Sequence, residues 1–154
     1  MNIRRFLLAL IVLLVFQVRS EAVVQLTPDA QISVITCNPG EDVYSVYGHS
    51  AIRVLDQALG IDVVYNYGVF SFDSPNFLYR FAKGQTDYLL LGYEFSSFMP
   101  EYQKEKRSVY EQVLNLTPEG KNKLFQALVE NARKENRIYR YNFFTDNCAT
   151  RVRD

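Results

Sequence analysis

The sequence has no tryptophan, one histidine and two cysteines, and its 17 basic residues are matched by 17 acidic ones. Each shortage excludes something. Without a basic surplus there is nothing to meet a phosphate backbone, so nucleic acid is not an expected partner. One His and two Cys cannot complete a closed zinc site, which takes four ligands, and no metal is expected. Neither a carboxylate cluster nor a phosphate-cradling glycine loop occurs, so no cofactor is expected. The longest apolar run, 6–16, has eleven residues, well short of the roughly 20 that cross a bilayer. What remains is a chain of 154 residues, 48% hydrophobic and 22% charged, with 11 Tyr and 11 Phe. That is enough for one compact domain and too apolar for disorder.

The apolar run follows Arg4 and Arg5 and is followed by Ser20 and Ala22, small residues two apart. This pattern reads as a secretory signal over residues 1–22, with an uncleaved anchor as the alternative. Its removal takes away Arg4, Arg5, Arg19 and Glu21 and leaves 14 basic and 16 acidic residues. The domain at 23–154 is then expected to work in the periplasm or otherwise outside the cytoplasm.

Strands are expected at 31–36, 46–55 and 62–68, where β-branched residues and alternation dominate. Ser74 and Pro75 set an N-cap and a first-turn proline for a short helix over 76–83, stopped by Gly84. A further strand is expected at 86–95, a helix near 97–106 and extended chain at 109–116. Thr117-Pro118 opens the clearest helix, with Leu124, Leu128 and Ala132 on one stripe. Residues 139–144 read as extended and aromatic. Asp146 or Asn147 can cap one more helix, with Cys148 in its first turn. Only six residues follow Cys148, fewer than an isolated helix sustains, which suggests that the domain is incomplete at its C-terminal end. The expected class is α+β, an antiparallel sheet packed by helices.

His49 lies in Tyr47-Gly48-His49-Ser50, and Cys148 at a helix start. A helix N-terminus lowers a thiol pKa, a neighbouring imidazolium lowers it further, and free first-turn amides hold an oxyanion. Cys with His is the minimal apparatus for acyl transfer through a thioester. If strands 46–55 and 62–68 turn near Ala58-Leu59, Ala51 faces Asn66, and Asn66 shares a face with His49. Asn66 is then a candidate orienting group, with Asp73 as its competitor. The alternatives stay open. A lone strand His is often structural, and two cysteines in an exported chain pair by default as a disulfide, here Cys37–Cys148.

Two stretches carry a resemblance: TCNPGEDVYSVYGHSAIRV (36–54) and YRYNFFTDNCATRVRD (139–154). With 63–90 and 106–124 between them, the chain resembles the Lnb-type N-terminal periplasmic domain family. The resemblance implies a circularly permuted relative of the NlpC-type, papain-like enzymes, with His first and Cys last, as in lecithin:retinol acyltransferase. It makes His49 the general base and Cys148 the nucleophile. Asp146, Asn147, Thr150 and Arg151 belong to the same motif, and Tyr47 adjoins the His block as a support residue. The family takes its name from a lipoprotein N-acyltransferase in which this domain precedes a membrane-embedded region. The implied partners are therefore a phospholipid or lipoprotein acyl group, and a membrane reached through that missing region. Hydrolysis of cell-wall peptide by the same pair, or a disulfide-bonded binding module, are the competing readings.

Overall fold

The computed structural model describes residues 24–42, 44–70 and 75–154. The expected signal segment at 1–22, Asp73 and the expected cap Ser74 lie outside the described residues.

The chain is α+β. Six strands form one antiparallel sheet: β1 (Gln31–Cys37), β2 (His49–Asp56), β3 (Ile61–Val69), β4 (Asp87–Glu94), β5 (Val109–Val113) and β6 (Ile138–Arg140). Their order across the sheet is β5-β1-β2-β3-β4-β6. The first four strands form a meander, and the last two add to its opposite edges. The helices are α1 (Phe77–Ala82), α2 (Phe95–Lys104), α3 (Pro118–Asn131) and α4 (Cys148–Arg153). Among the described residues, no helix is long and apolar enough to cross a membrane.

Both faces of the sheet are covered, and strand alternation sorts the core accordingly. Ile32, Ile52, Val54, Tyr65 and Tyr67 join Tyr88, Leu90, Tyr139 and the α3 residues Phe125 and Leu128 in the larger cluster. Ile35, Cys37, Ala51 and Val64 join Phe98 and Tyr102 of α2 in the smaller one.

The β2–β3 hairpin has the expected register. Asp56 pairs with Ile61, leaving a turn over 57–60, and the ladder runs out to Ile52 opposite Tyr65, one residue short of Ala51 and Asn66. Asp56 fastens this turn: its buried carboxylate accepts from the Ala58, Leu59 and Thr27 amides. The α3 start is also as expected, with the Thr117 hydroxyl accepting from the Gly120 amide and Pro118 in the first turn.

Other boundaries moved. The strand expected from residue 46 begins at His49, because 44–47 is turn and Gly48 takes φ 74. A Cβ at Gly48 would lie 2.6 Å from the Cys37 carbonyl oxygen, so the glycine ends the turn and lets β2 start beside β1. The α1 N-cap position is Asn76, in the left-handed region with no side-chain cap bond, and Gly84 (φ 63) stops the helix as expected. The helix expected at 97–106 runs instead from Phe95 to Lys104. The aromatic run expected to be extended over 139–144 turns at 143–145, where Asn142 and Asp146 bridge.

Candidate functional site

His49 is the first residue of β2 and pairs directly with Cys37 of β1. Its Nε2 lies 2.8 Å from Asn66 Oδ1, so the sheet joins the two residues by a direct hydrogen bond. The Gly68 amide donates to the same Oδ1 at 2.6 Å. A backbone N–H can only donate, so the atom facing it is the amide oxygen. The His49 nitrogen beside that oxygen must then carry the hydrogen, which leaves Nδ1 with its lone pair. The third contact is from Asn66 Nδ2 to the Tyr93 hydroxyl, at 2.5 Å. Gly68 matters sterically as well, since a Cβ there would sit 2.4 Å from His49 Cε1.

Burial pushes the imidazole pKa down from 6.5 to about 4, with the Asn66 bond opposing and the Arg107 guanidinium reinforcing. At neutral pH the ring is uncharged, a base rather than an imidazolium. The expectation that an imidazolium ionises the thiol gives way to a neutral proton acceptor.

Cys148 begins α4, as expected. Asn147 caps it, accepting from the Ala149 and Thr150 amides, while Thr150 Oγ1 accepts from the Asn147 amide in a reciprocal capping box. This cap uses two of the first-turn donors expected to hold an oxyanion. The Cys148 amide is left as the nearest such donor.

The loop before the helix is bound to itself. Asn142 Oδ1 accepts from the Phe144 and Thr145 amides, and Asn147 Nδ2 donates to the Phe143 carbonyl. Asp146 holds Arg151 through two contacts of 2.5 and 2.7 Å, and the same guanidinium lies 4.6 Å from the centre of the Tyr139 ring. Asp146, Asn147, Thr150 and Arg151 thus form the mounting of Cys148.

The two motif blocks meet at the end of the sheet. Helix α4 packs against β2 and β3, and the Tyr47 ring, 81% exposed, sets its edge against Phe143. Cys148 itself is half-buried and packs on the larger cluster. The phenols of Tyr88, Tyr139 and Tyr141 are pushed up by burial and further by this sulfur. His49 and Asn66 belong to the face covered by α2, because Cys37 pairs with His49 and Asn66 is two residues along β3 from Val64. Cys148 packs on the opposite cluster, and no hydrogen bond joins it to His49 in this structure.

Both cysteines are free thiols, so the Cys37–Cys148 bridge is not formed. Cys37 is 2% exposed, and burial pushes its pKa up from 9.0 to about 11, against a lowering contact from the Tyr102 hydroxyl. It is a core thiol. Tyr93 and Gly68 escaped the sequence reading: no local pattern distinguishes them, since each acts only across a strand boundary.

Residues 23–154 match the Lnb N-terminal periplasmic domain family, and the chain belongs to it. The domain is periplasmic. No curated protein and no solved structure matches the chain.

Proposed function

We propose that this periplasmic domain is a thiol-dependent acyltransferase module, with Cys148 as nucleophile, His49 as base and Asn66 as the group that orients the base. The core is read as a permuted papain-like one, in which His precedes Cys along the chain. The observation that carries the reading is the His49–Asn66 bond, fixed in direction by the Gly68 amide. It stations a proton on Nε2 and a lone pair on Nδ1, the arrangement a general base requires. Supporting it, Cys148 is free, half-buried and rigidly mounted, and its block touches the block of His49 through Phe143 and Tyr47.

In the proposed reaction Sγ adds to the carbonyl carbon of an acyl ester, and its proton passes to Nδ1. Collapse breaks the ester C–O bond, and the leaving alkoxide takes that proton from the imidazole. An amine then attacks the thioester, losing its proton to Nδ1, and the sulfur departs and is reprotonated. Catalytic hydrogen bonds tighten as substrate binds, so Sγ is expected to close on Nδ1 around the end of β2 in the acyl complex. The proposed donor is a phospholipid, the acceptor the amino group of a lipoprotein's N-terminal cysteine, and the setting the membrane surface.

The test uses the full chain in phospholipid vesicles bearing a labelled acyl chain, with a peptide carrying an N-terminal cysteine. Transfer of label to the amine is the expected result. Cys148→Ala abolishes it and His49→Ala lowers it by about 100-fold or more. Label released only as free acid would replace transfer by hydrolysis, and label transfer undiminished in His49→Ala would overturn the assignment of the base.

A further inference from the structure

Asn66 is held at three points by three partners, and two of them explain its oxygen. The Gly68 amide and His49 Nε2 occupy the two lone pairs of Oδ1, at 2.6 and 2.8 Å. An amide nitrogen carries only hydrogens, so the third contact has a fixed sense: Nδ2 donates and the Tyr93 oxygen accepts. The three side chains come from three successive strands, β2, β3 and β4. Leu91 is the β4 residue opposite Asn66, and Tyr93 is two further along, opposite Val64. This diagonal spacing lets a long side chain reach across to a short one.

Tyr93 is itself held in place. Its ring lies 6.2 Å from that of Phe98, and Phe98 packs 4.7 Å from Tyr102 on the same helix. Helix α2 therefore fixes the phenol, the phenol fixes the amide, and the amide fixes the imidazole.

We infer that Tyr93 is a positioning residue: by accepting the Asn66 amide hydrogen it keeps that amide aimed so that His49 holds its proton on Nε2 and presents Nδ1. The inference rests on the proposed role of His49 for its catalytic meaning, yet it concerns a state of the resting protein. It can stand or fall whether or not acyl transfer is found.

His49 is the only histidine in the chain, so nitrogen-15 spectra of the full protein labelled at histidine contain a single pair of ring signals. In the unaltered protein at neutral pH, Nε2 is expected to be protonated and Nδ1 bare. Tyr93→Phe removes one oxygen and keeps the packing against Phe98. It is expected to shift the tautomer ratio toward Nδ1–H by roughly fivefold, the effect of losing one hydrogen bond. In an Asn66→Ala background the same change should do nothing further, because the path runs through Asn66. A tautomer ratio unchanged by Tyr93→Phe overturns the inference. So does an equal shift in both backgrounds, which is what general loosening of the core produces.

Asn66→Asp gives a second, independent reading. It keeps an acceptor for Nε2–H and for the Gly68 amide while losing the hydrogen given to Tyr93, so the phenol must turn donor. The proton is expected to stay on Nε2 and the imidazole midpoint to rise beside the carboxylate. A proton found on Nδ1 in this variant would reverse the assigned direction of the chain and overturn the inference.

Discussion

The two cysteines occupy opposite sides of one sheet and differ in almost everything that controls sulfur chemistry. Cys37 is sealed under α2, opposite His49 in the strand ladder, against the Tyr102 hydroxyl. Cys148 stands at the first position of a capped helix, half-buried beside three phenols. The lesson is that adjacency to an imidazole in the ladder does not make a nucleophile. Cys37 has the nearer backbone position to His49, yet burial removes its thiolate and bars a substrate. Cys148 lies off the strand ladder, at the start of α4, and is half-buried rather than sealed.

The largest expected effect tests that contrast directly. The rise of the Cys37 pKa from 9.0 to about 11 cuts its thiolate fraction at neutral pH by about 100-fold relative to an unperturbed thiol, and burial slows it further. Timed alkylation of the native protein with a neutral thiol reagent, read by mass spectrometry, should modify Cys148 first. Cys37 should be modified only after unfolding. Comparable rates at the two sites would erase the distinction between them.

A smaller effect sharpens the account of the α2 side. The His49 pKa is about 4 in the folded chain against an ordinary 6.5. Between those values the unfolded chain binds a proton that the folded chain does not, so stability rises with pH across this window. The contribution is fully present above pH 6.5 and is lost as pH falls toward 4. Its size is on the order of 3 kcal/mol. Denaturant unfolding of the unaltered protein and of His49→Gln should show the difference between them shrinking as acid is added. A difference that stays constant from pH 7 to about 4 would mean that His49 is not held neutral by its surroundings.

The smallest effect belongs to the Cys148 mounting. Asn147→Ala deprives the Ala149 and Thr150 amides of their acceptor, at a cost of about 1 kcal/mol. Because α4 is a short helix at the sheet's end, the loss should be local. Amide hydrogen exchange should rise roughly fivefold at Ala149 and Thr150 while β2 and β3 amides stay protected. Uniform acceleration throughout the sheet would show that the mounting is part of the global fold.

Much of the α2-side site could be read in advance from local pattern. Turn chemistry around Gln57–Gly60 and alternation in β2 and β3 set the register, and the register carries Asn66 to His49. Thr117-Pro118 marks a helix start because capping is a matter of a few adjacent residues. The same locality explains Asn147 at the start of α4. The misses have a common cause. Tyr93 reaches Asn66 only once β4 has paired with β3, and Gly68 matters only once the imidazole lies over it. The start of β2 slipped because Gly48 must avoid the Cys37 carbonyl, a contact made between strands. The oxyanion expectation weakened because the residue that caps the helix also consumes its amides.

By itself, then, the chain's order of residues determined the sheet's alternation, the hairpin register and the helix caps, since each depends on neighbours a few positions apart. Tertiary structure alone decided which cysteine is sealed and which is presented, and whether the lone imidazole is neutral. Those properties follow from desolvation and from hydrogen bonds between distant segments, and neither exists until the sheet has closed around them.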